Sequence, residues 1–224
     1  FYEPSTDNFI RVREEIIRNQ VNDITEDHNG ILWFATIGDG IYSYDRFTER
    51  WRHYLIPSAH GVNDTGRSII CILKDKKNRL WVGTEGAGVA IYDKASDSFR
   101  NVATAREGLP NEVIYRLIED SRGYIWGSTN KGIFMLVPET MKITSYFHSK
   151  GLLGDQFNYK SGYMDKNGTI YFGGVKGFVA FNPVELETNG IIPPIVLTNF
   201  QIWNSQVPIG TTHSPLKQSI TRTS

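Results

Sequence analysis

The sequence predicts an all-β chain, a fragment of a β-propeller with about four four-stranded blades in an open ring, and three observations predict it. An aromatic anchor recurs at Trp33, Trp81, Trp126 and Tyr171, spaced 48, 45 and 45 residues apart, which suits a propeller blade. An Asp-led turn precedes each anchor: Asp27-His28-Asn29-Gly30, Asp75-Lys76-Lys77-Asn78, Asp120-Ser121-Arg122-Gly123 and Asp165-Lys166-Asn167-Gly168. Between these marks lie short β-rich runs and nothing of helical period, which disfavours helical solenoids of similar repeat length.

The elements follow in order. Residues 1–18 read as the end of a preceding blade, because Tyr2-Glu3-Pro4-Ser5-Thr6-Asp7-Asn8-Phe9 parallels Tyr92-Asp93-Lys94-Ala95-Ser96-Asp97-Ser98-Phe99. Blades are expected over 19–67, 68–110 and 111–155, each carrying the Asp turn, an apolar run around its tryptophan and a later glycine. A degenerate, closing blade is expected over 156–189, where Ile170-Tyr171-Phe172-Gly173 replaces the tryptophan run. After Pro183 the pattern stops, and Ile191-Ile192-Pro193-Pro194-Ile195-Val196-Leu197 opens a new apolar strand. Residues 190–224 therefore read as a linker into a second β domain.

The Asp turn has a physical reading. The carboxylate can accept from backbone amides of a type I turn, and the fourth position demands a left-handed residue for the hairpin to close. Glycine fills that position three times and Asn78 once, asparagine being the usual non-glycine residue tolerated there. The run Ile31-Leu32-Trp33-Phe34-Ala35 is apolar on both faces, which fits a sheet covered by a neighbour on each side. The indoles are accordingly expected to pack between blades and not to serve as exposed sugar platforms.

Composition removes several function classes. Lysine plus arginine number 24 and aspartate plus glutamate 24, so no net field draws nucleic acid or an anionic membrane. Cys71 lies in the apolar run Ile69-Ile70-Cys71-Ile72-Leu73 and reads as a buried small hydrophobe. With one cysteine there is no disulfide framework and no thiol-based metal site. The five histidines, His28, His53, His60, His148 and His213, show no metal-ligand spacing. Asp165-Lys166-Asn167-Gly168 opens like an EF-hand loop, but no glutamate stands at the twelfth position. No cofactor or metal is expected. No apolar stretch nears the roughly 20 residues of a membrane helix, so any anchor or export signal is expected outside this segment.

The units at 26–45 and 75–93, each a carboxylate-led turn followed by Leu-Trp, threonine, glycine and Tyr-Asp, resemble the two-component regulator propeller repeats of hybrid two-component sensors from Gram-negative bacteria. Gly151-Leu152-Leu153-Gly154-Asp155-Gln156-Phe157-Asn158 is similar to the start of that family's closing repeat, and Pro193-Pro194-Ile195-Val196-Leu197-Thr198-Asn199-Phe200 to the start of its immunoglobulin-like domain. Ala35 for glycine, Asn78 for glycine and Tyr171 for tryptophan are departures. The resemblance implies the periplasmic ligand-sensing part of an inner-membrane protein, with kinase and output domains outside this segment and oligosaccharides as ligands. It also implies fewer blades than a full ring, so the chain is expected to be a fragment whose open faces promote self-association as a dimer.

On this reading the segment is not an enzyme. The rival classes are a propeller glycosidase or polysaccharide lyase and a protein-docking scaffold, but the turn carboxylates belong to repeated hairpins and form no facing catalytic pair. In a four-stranded meander, the connection into the first strand and the second-to-third loop emerge on one face, and the Asp turns on the other. The first face is the expected binding surface, with Arg18, Arg67, Asn111, Asn130, Lys131 and Lys176 as candidate contacts to sugar hydroxyls or acidic groups.

Overall fold

The computed structural model describes residues 2–9, 16–57, 66–186, 201–203 and 205–207. The chain divides into two units, 1–186 and 187–224. In the first unit, β-branched and aromatic runs separated by Gly, Asn and Asp turns form successive antiparallel meanders. Strands β1 (Tyr2–Glu3) and β2 (Asn8–Phe9) form a short hairpin. Strands β3 (Val21–Glu26), β4 (Ile31–Thr36), β5 (Ile41–Asp45) and β6 (Arg50–Tyr54) make the first four-stranded sheet, paired in chain order. The second holds β7 (Ile69–Lys74), β8 (Leu80–Thr84), β9 (Val89–Asp93) and β10 (Ser98–Ala103). The third holds β11 (Ile114–Glu119), β12 (Ile125–Thr129), β13 (Gly132–Val137) and β14 (Lys142–Tyr146).

The fourth sheet differs. It has three strands among the described residues, β15 (Phe157–Met164), β16 (Ile170–Gly174) and β17 (Gly177–Phe181), because the chain turns at Asn182 into a short 3-10 segment, Pro183–Glu185, where the other blades run into a fourth strand. In the second unit, β18 (Gln201–Ile202) pairs with β19 (Ser205–Gln206). The expected strand over 191–200 lies outside the described residues.

The hairpin of β1 and β2 repeats the geometry of the outer hairpins. Asp7, Glu49, Asp97 and Met141 each occupy the last loop position with φ of 48°, 54°, 47° and 55°. The Asp turns behave alike in all four blades. Asp27 Oδ1 accepts from the amides of Asn29 and Ile31, Asp75 from Lys77 and Arg79, Asp120 from Arg122 and Tyr124, and Asp165 from Asn167 and Thr169. The closing residues Gly30, Asn78, Gly123 and Gly168 all have positive φ, from 60° to 86°.

The core consists of the interfaces between sheets. Trp33 packs with Leu80, Val82 and Phe99 of the second blade. Trp81 packs with Leu117, Ile125 and Leu136 of the third, and Trp126 with Ile170 and Phe172 of the fourth. Each indole thus faces the following blade and is excluded from solvent, at 2 %, 0 % and 0 % exposure. First strands touch first strands, β3 with β7, β7 with β11 and β11 with β15. They form the hub, and the fourth strands form the rim.

Candidate functional site

The hub and its loops are built by two local devices. A bulge interrupts the pairing of every first strand, at Asn22, at Ile70, at Tyr115 and, over a longer stretch, between Phe157 and Gly162. Bulges re-aim side chains, and here they turn residues toward the adjacent blade: Asn22 Nδ2 donates to the Ile69 carbonyl at 2.9 Å, and the Tyr115 and Tyr159 rings lie 4.5 Å apart.

The second device ties the loops together. The amides of Ile37, Glu85 and Val175, at the second-to-third loops, donate to the carbonyls of Gln20, Ser68 and Gln156. Those of Gly40, Gly88 and Gly132 donate to Arg67, Glu112 and Asp155 in the connection to the next blade. A Cβ at Gly40 or Gly88 would fall 2.3 or 2.1 Å from a carbonyl oxygen of the fourth strand, so these glycines are required for the approach.

At the hub end of this face, Glu85 bridges to Val113 through its backbone and accepts from the Tyr159 hydroxyl at 3.0 Å. Tyr159 remains 52 % exposed. Burial, followed by its bond to Glu85, pushes the Tyr159 phenol up to about 12, and burial raises Tyr115 as well. Deeper in the hub, Arg116 Nη1 lies 3.8 Å from Asp23 Oδ2, which also accepts from the Ile72 amide at 3.0 Å. Arg116 Nε is buried and has no partner. These hub residues therefore offer a ring face, a carboxylate, a phenol and the Arg116 cation.

The six sequence candidates stand on the connections that precede first strands or join second to third strands. Arg18 is exposed before β3, and exposed Arg67 precedes β7. Asn111 Oδ1 accepts from the Val113 amide at 2.8 Å. Asn130 and Lys131 form the exposed turn between β12 and β13, and the Lys176 stem lies against Gly154. Glu85, Tyr115, Arg116 and Tyr159 were not among the candidates. Neither tyrosine belongs to the repeated marks, and a bulge leaves no periodic mark in the sequence.

The opposite face is structural. The second oxygen of each turn aspartate accepts from the anchor of its own blade: Trp33 at 3.2 Å, Trp81 at 2.8 Å, Trp126 at 3.1 Å and Tyr171 at 3.3 Å. These carboxylates are therefore committed. Cys71 is buried, and burial pushes its thiol up to about 12, which makes it inert. His53 stacks on Tyr42 with centroids 4.5 Å apart, and His60 and His213 lie outside the described residues. Among the described residues, no group of three His, Cys, Asp or Glu side chains could hold a metal ion, and no helix is long and apolar enough to cross a membrane.

Comparison with known proteins matches residues 15–38, 64–86 and 108–131 to the family model of the two component regulator propeller. Histidine kinase P4 of Formosa agariphila is 32% identical over 124 residues, 55% of this chain and 9% of that protein. The extracellular domain of the putative hybrid two component system BT3049 from B. thetaiotaomicron superposes with a TM-score of 0.70 at 27% identity, over 88% of this chain and 27% of that one. The extracellular domain of the putative one component system BT4673 from the same organism gives 0.65 at 25% identity, over 81% and 26%. Virginiamycin B lyase from Staphylococcus aureus, at 16% identity and a TM-score of 0.52 over 72% of this chain and 55% of that one, shares the fold. The chain thus spans about a tenth of the kinase and about a quarter of each of the two extracellular domains.

Proposed function

The chain carries two-component regulator propeller repeats, and we propose on that footing that it is part of the ligand-sensing ectodomain of a hybrid two-component regulator. In this reading it lies in the periplasm, catalyses nothing itself, and reports to a kinase elsewhere in the protein. The ligand is an oligosaccharide. The observation that carries this is the exposed Tyr159 ring, held by Glu85 beside Tyr115, with Arg116 following Tyr115 on β11. An aromatic face suits the apolar side of a sugar, and convergent charged acceptors and donors suit its hydroxyls. Arg18, Arg67, Asn111, Asn130, Lys131 and Lys176 are the outer contacts.

A glycan panel tests it. Binding is expected without product formation. Tyr159→Ala, and separately Arg67→Ala with Lys131→Ala, are expected to weaken binding by about tenfold or more with unchanged melting. Turnover would overturn the sensing reading in favour of a propeller glycosidase or lyase. Undiminished binding by both variants would overturn the placement.

A further inference from the structure

A second polar site lies at the rim, between the first and second blades. There a cleft of about 370 Å³ is lined by Trp33, Asp45, Arg50, Arg52, Tyr54, Tyr92, Lys94 and Asp97 among others. Asp97 gathers its walls. Its Oδ1 accepts from the Tyr92 hydroxyl at 2.5 Å and the Tyr54 hydroxyl at 2.9 Å, and its Oδ2 from Arg52.

The repeat supplies an internal control. Tyr54 and Ala103 pair with the first residues of the third strands, Ile41 and Val89. Asp97 and Met141 share the left-handed position that ends the outer loop. By the same correspondence Tyr92 matches Leu136, and Lys94 matches Pro138. The four polar positions of this junction are therefore Ala103, Leu136, Pro138 and Met141 at the next one. There, Ala103, Leu136 and Met141 take part in the apolar core. A junction that needs only to hold two blades together is thus satisfied by apolar packing. At the first junction Tyr54 and Tyr92 pack on Trp33 as Tyr146 and Phe181 pack on Trp126 at the third, so the departure lies in the charged residues Lys94 and Asp97, and departures from the local rule concentrate at functional sites.

The charges define what fits. Asp45 is engaged by its own turn, accepting from the Phe47 amide at 2.9 Å and the Thr48 hydroxyl at 2.7 Å. Asp97 is engaged by its three donors. Arg50 and Lys94 stand exposed on the walls with Arg52 beside them, which leaves the cleft an excess of cationic donors over partly buried phenol rings. Guanidinium pairs preferentially with planar or tetrahedral oxyanions.

We propose that this cleft is a subsite for a saccharide bearing a carboxylate or sulfate group, with Arg50 and Lys94 receiving the anion. It rests on the oligosaccharide reading above but uses different residues, so the two can fail separately. The probes are trigalacturonic acid and the neutral galactotriose, titrated calorimetrically into the 224-residue chain. The acidic trimer is expected to bind more tightly than the neutral one and to weaken as salt rises. Arg50→Ala with Lys94→Ala is expected to cut its affinity by about tenfold or more while leaving the melting temperature unchanged. Equal binding of both trimers, or no binding of the acidic trimer and of a sulfated disaccharide, would overturn the proposal. So would binding that survives the double variant and is lost in Tyr159→Ala, an outcome that leaves the hub-face reading standing.

Discussion

The indole Nε1 of Trp81 donates to Asp75 Oδ2 at 2.8 Å, six residues back and across the hairpin, so a single carboxylate closes the turn and orients the ring that fills the next interface. The same link joins Asp120 to Trp126 at 3.1 Å. Trp126→Ala is therefore expected to cost about 3–5 kcal/mol through lost packing. Trp126→Phe, which keeps a ring and removes the donor, is expected to cost less, about 1–3 kcal/mol. Urea unfolding of both variants checks the order.

The closing position of the turn gives a second expectation. Gly123 has φ of 83°, so Gly123→Val is expected to destabilise the chain by about 1–3 kcal/mol. Asn78 already tolerates φ of 60°, and Asn78→Gly is expected to be neutral or slightly stabilising. Thermal melts of the two variants should move in these different ways.

Two carboxylates predict opposite pH dependences. Burial raises Glu119 above the ordinary glutamate value although the Lys76 amide donates to it at 2.8 Å. Its contribution is fully present below the unfolded-state value of about 4.3 and is lost as pH climbs through the raised folded value. Asp97 is held low, first by the Tyr92 hydroxyl. Its contribution is present above about 3.9 and is lost as pH falls through the lowered value. Unfolding measured against pH is expected to lose the first component in Glu119→Gln and the second in Asp97→Asn.

The outer faces of the sheet array predict self-association. Tyr163 and Phe178 flank Tyr171 on the fourth sheet and are 66 % and 63 % exposed, on the side that each indole takes in the other blades. At the other end, Ile24 is 56 % exposed. Apolar sheet faces of this kind seldom stay uncovered, so light scattering is expected to show a concentration-dependent dimer, reduced by Phe178→Asp. A monomer throughout the micromolar range would contradict this.

The blades were legible in the sequence because their marks are backbone demands. Asp27, Asp75, Asp120 and Asp165 recur since the turn needs an acceptor, and Gly30, Asn78, Gly123 and Gly168 recur since it needs a left-handed residue. The carboxylate-to-indole bond was not legible, because it joins two already familiar residues without changing either. The hub cluster was hidden for a different reason. Tyr115 and Tyr159 meet only because bulges shift them out of alternation, and Glu85 joins Tyr159 across 74 positions of sequence. That β17 has no fourth strand beside it among the described residues showed only as the end of the pattern at Pro183.

Because every indole is fastened within its own hairpin but covered by the blade that follows, the array has a direction. Loosening any sheet strips the cover from the ring before it, while the ring behind keeps its own. Fraying is therefore expected to start at β15–β17, whose Tyr171 has no following sheet among the described residues, and to travel backward like a zip. Amide protection would then fall from β8 through β12 to β16. Such a ratcheted gradient lets an event at one margin of the propeller loosen or tighten the remaining blades in sequence, with no hinge between them.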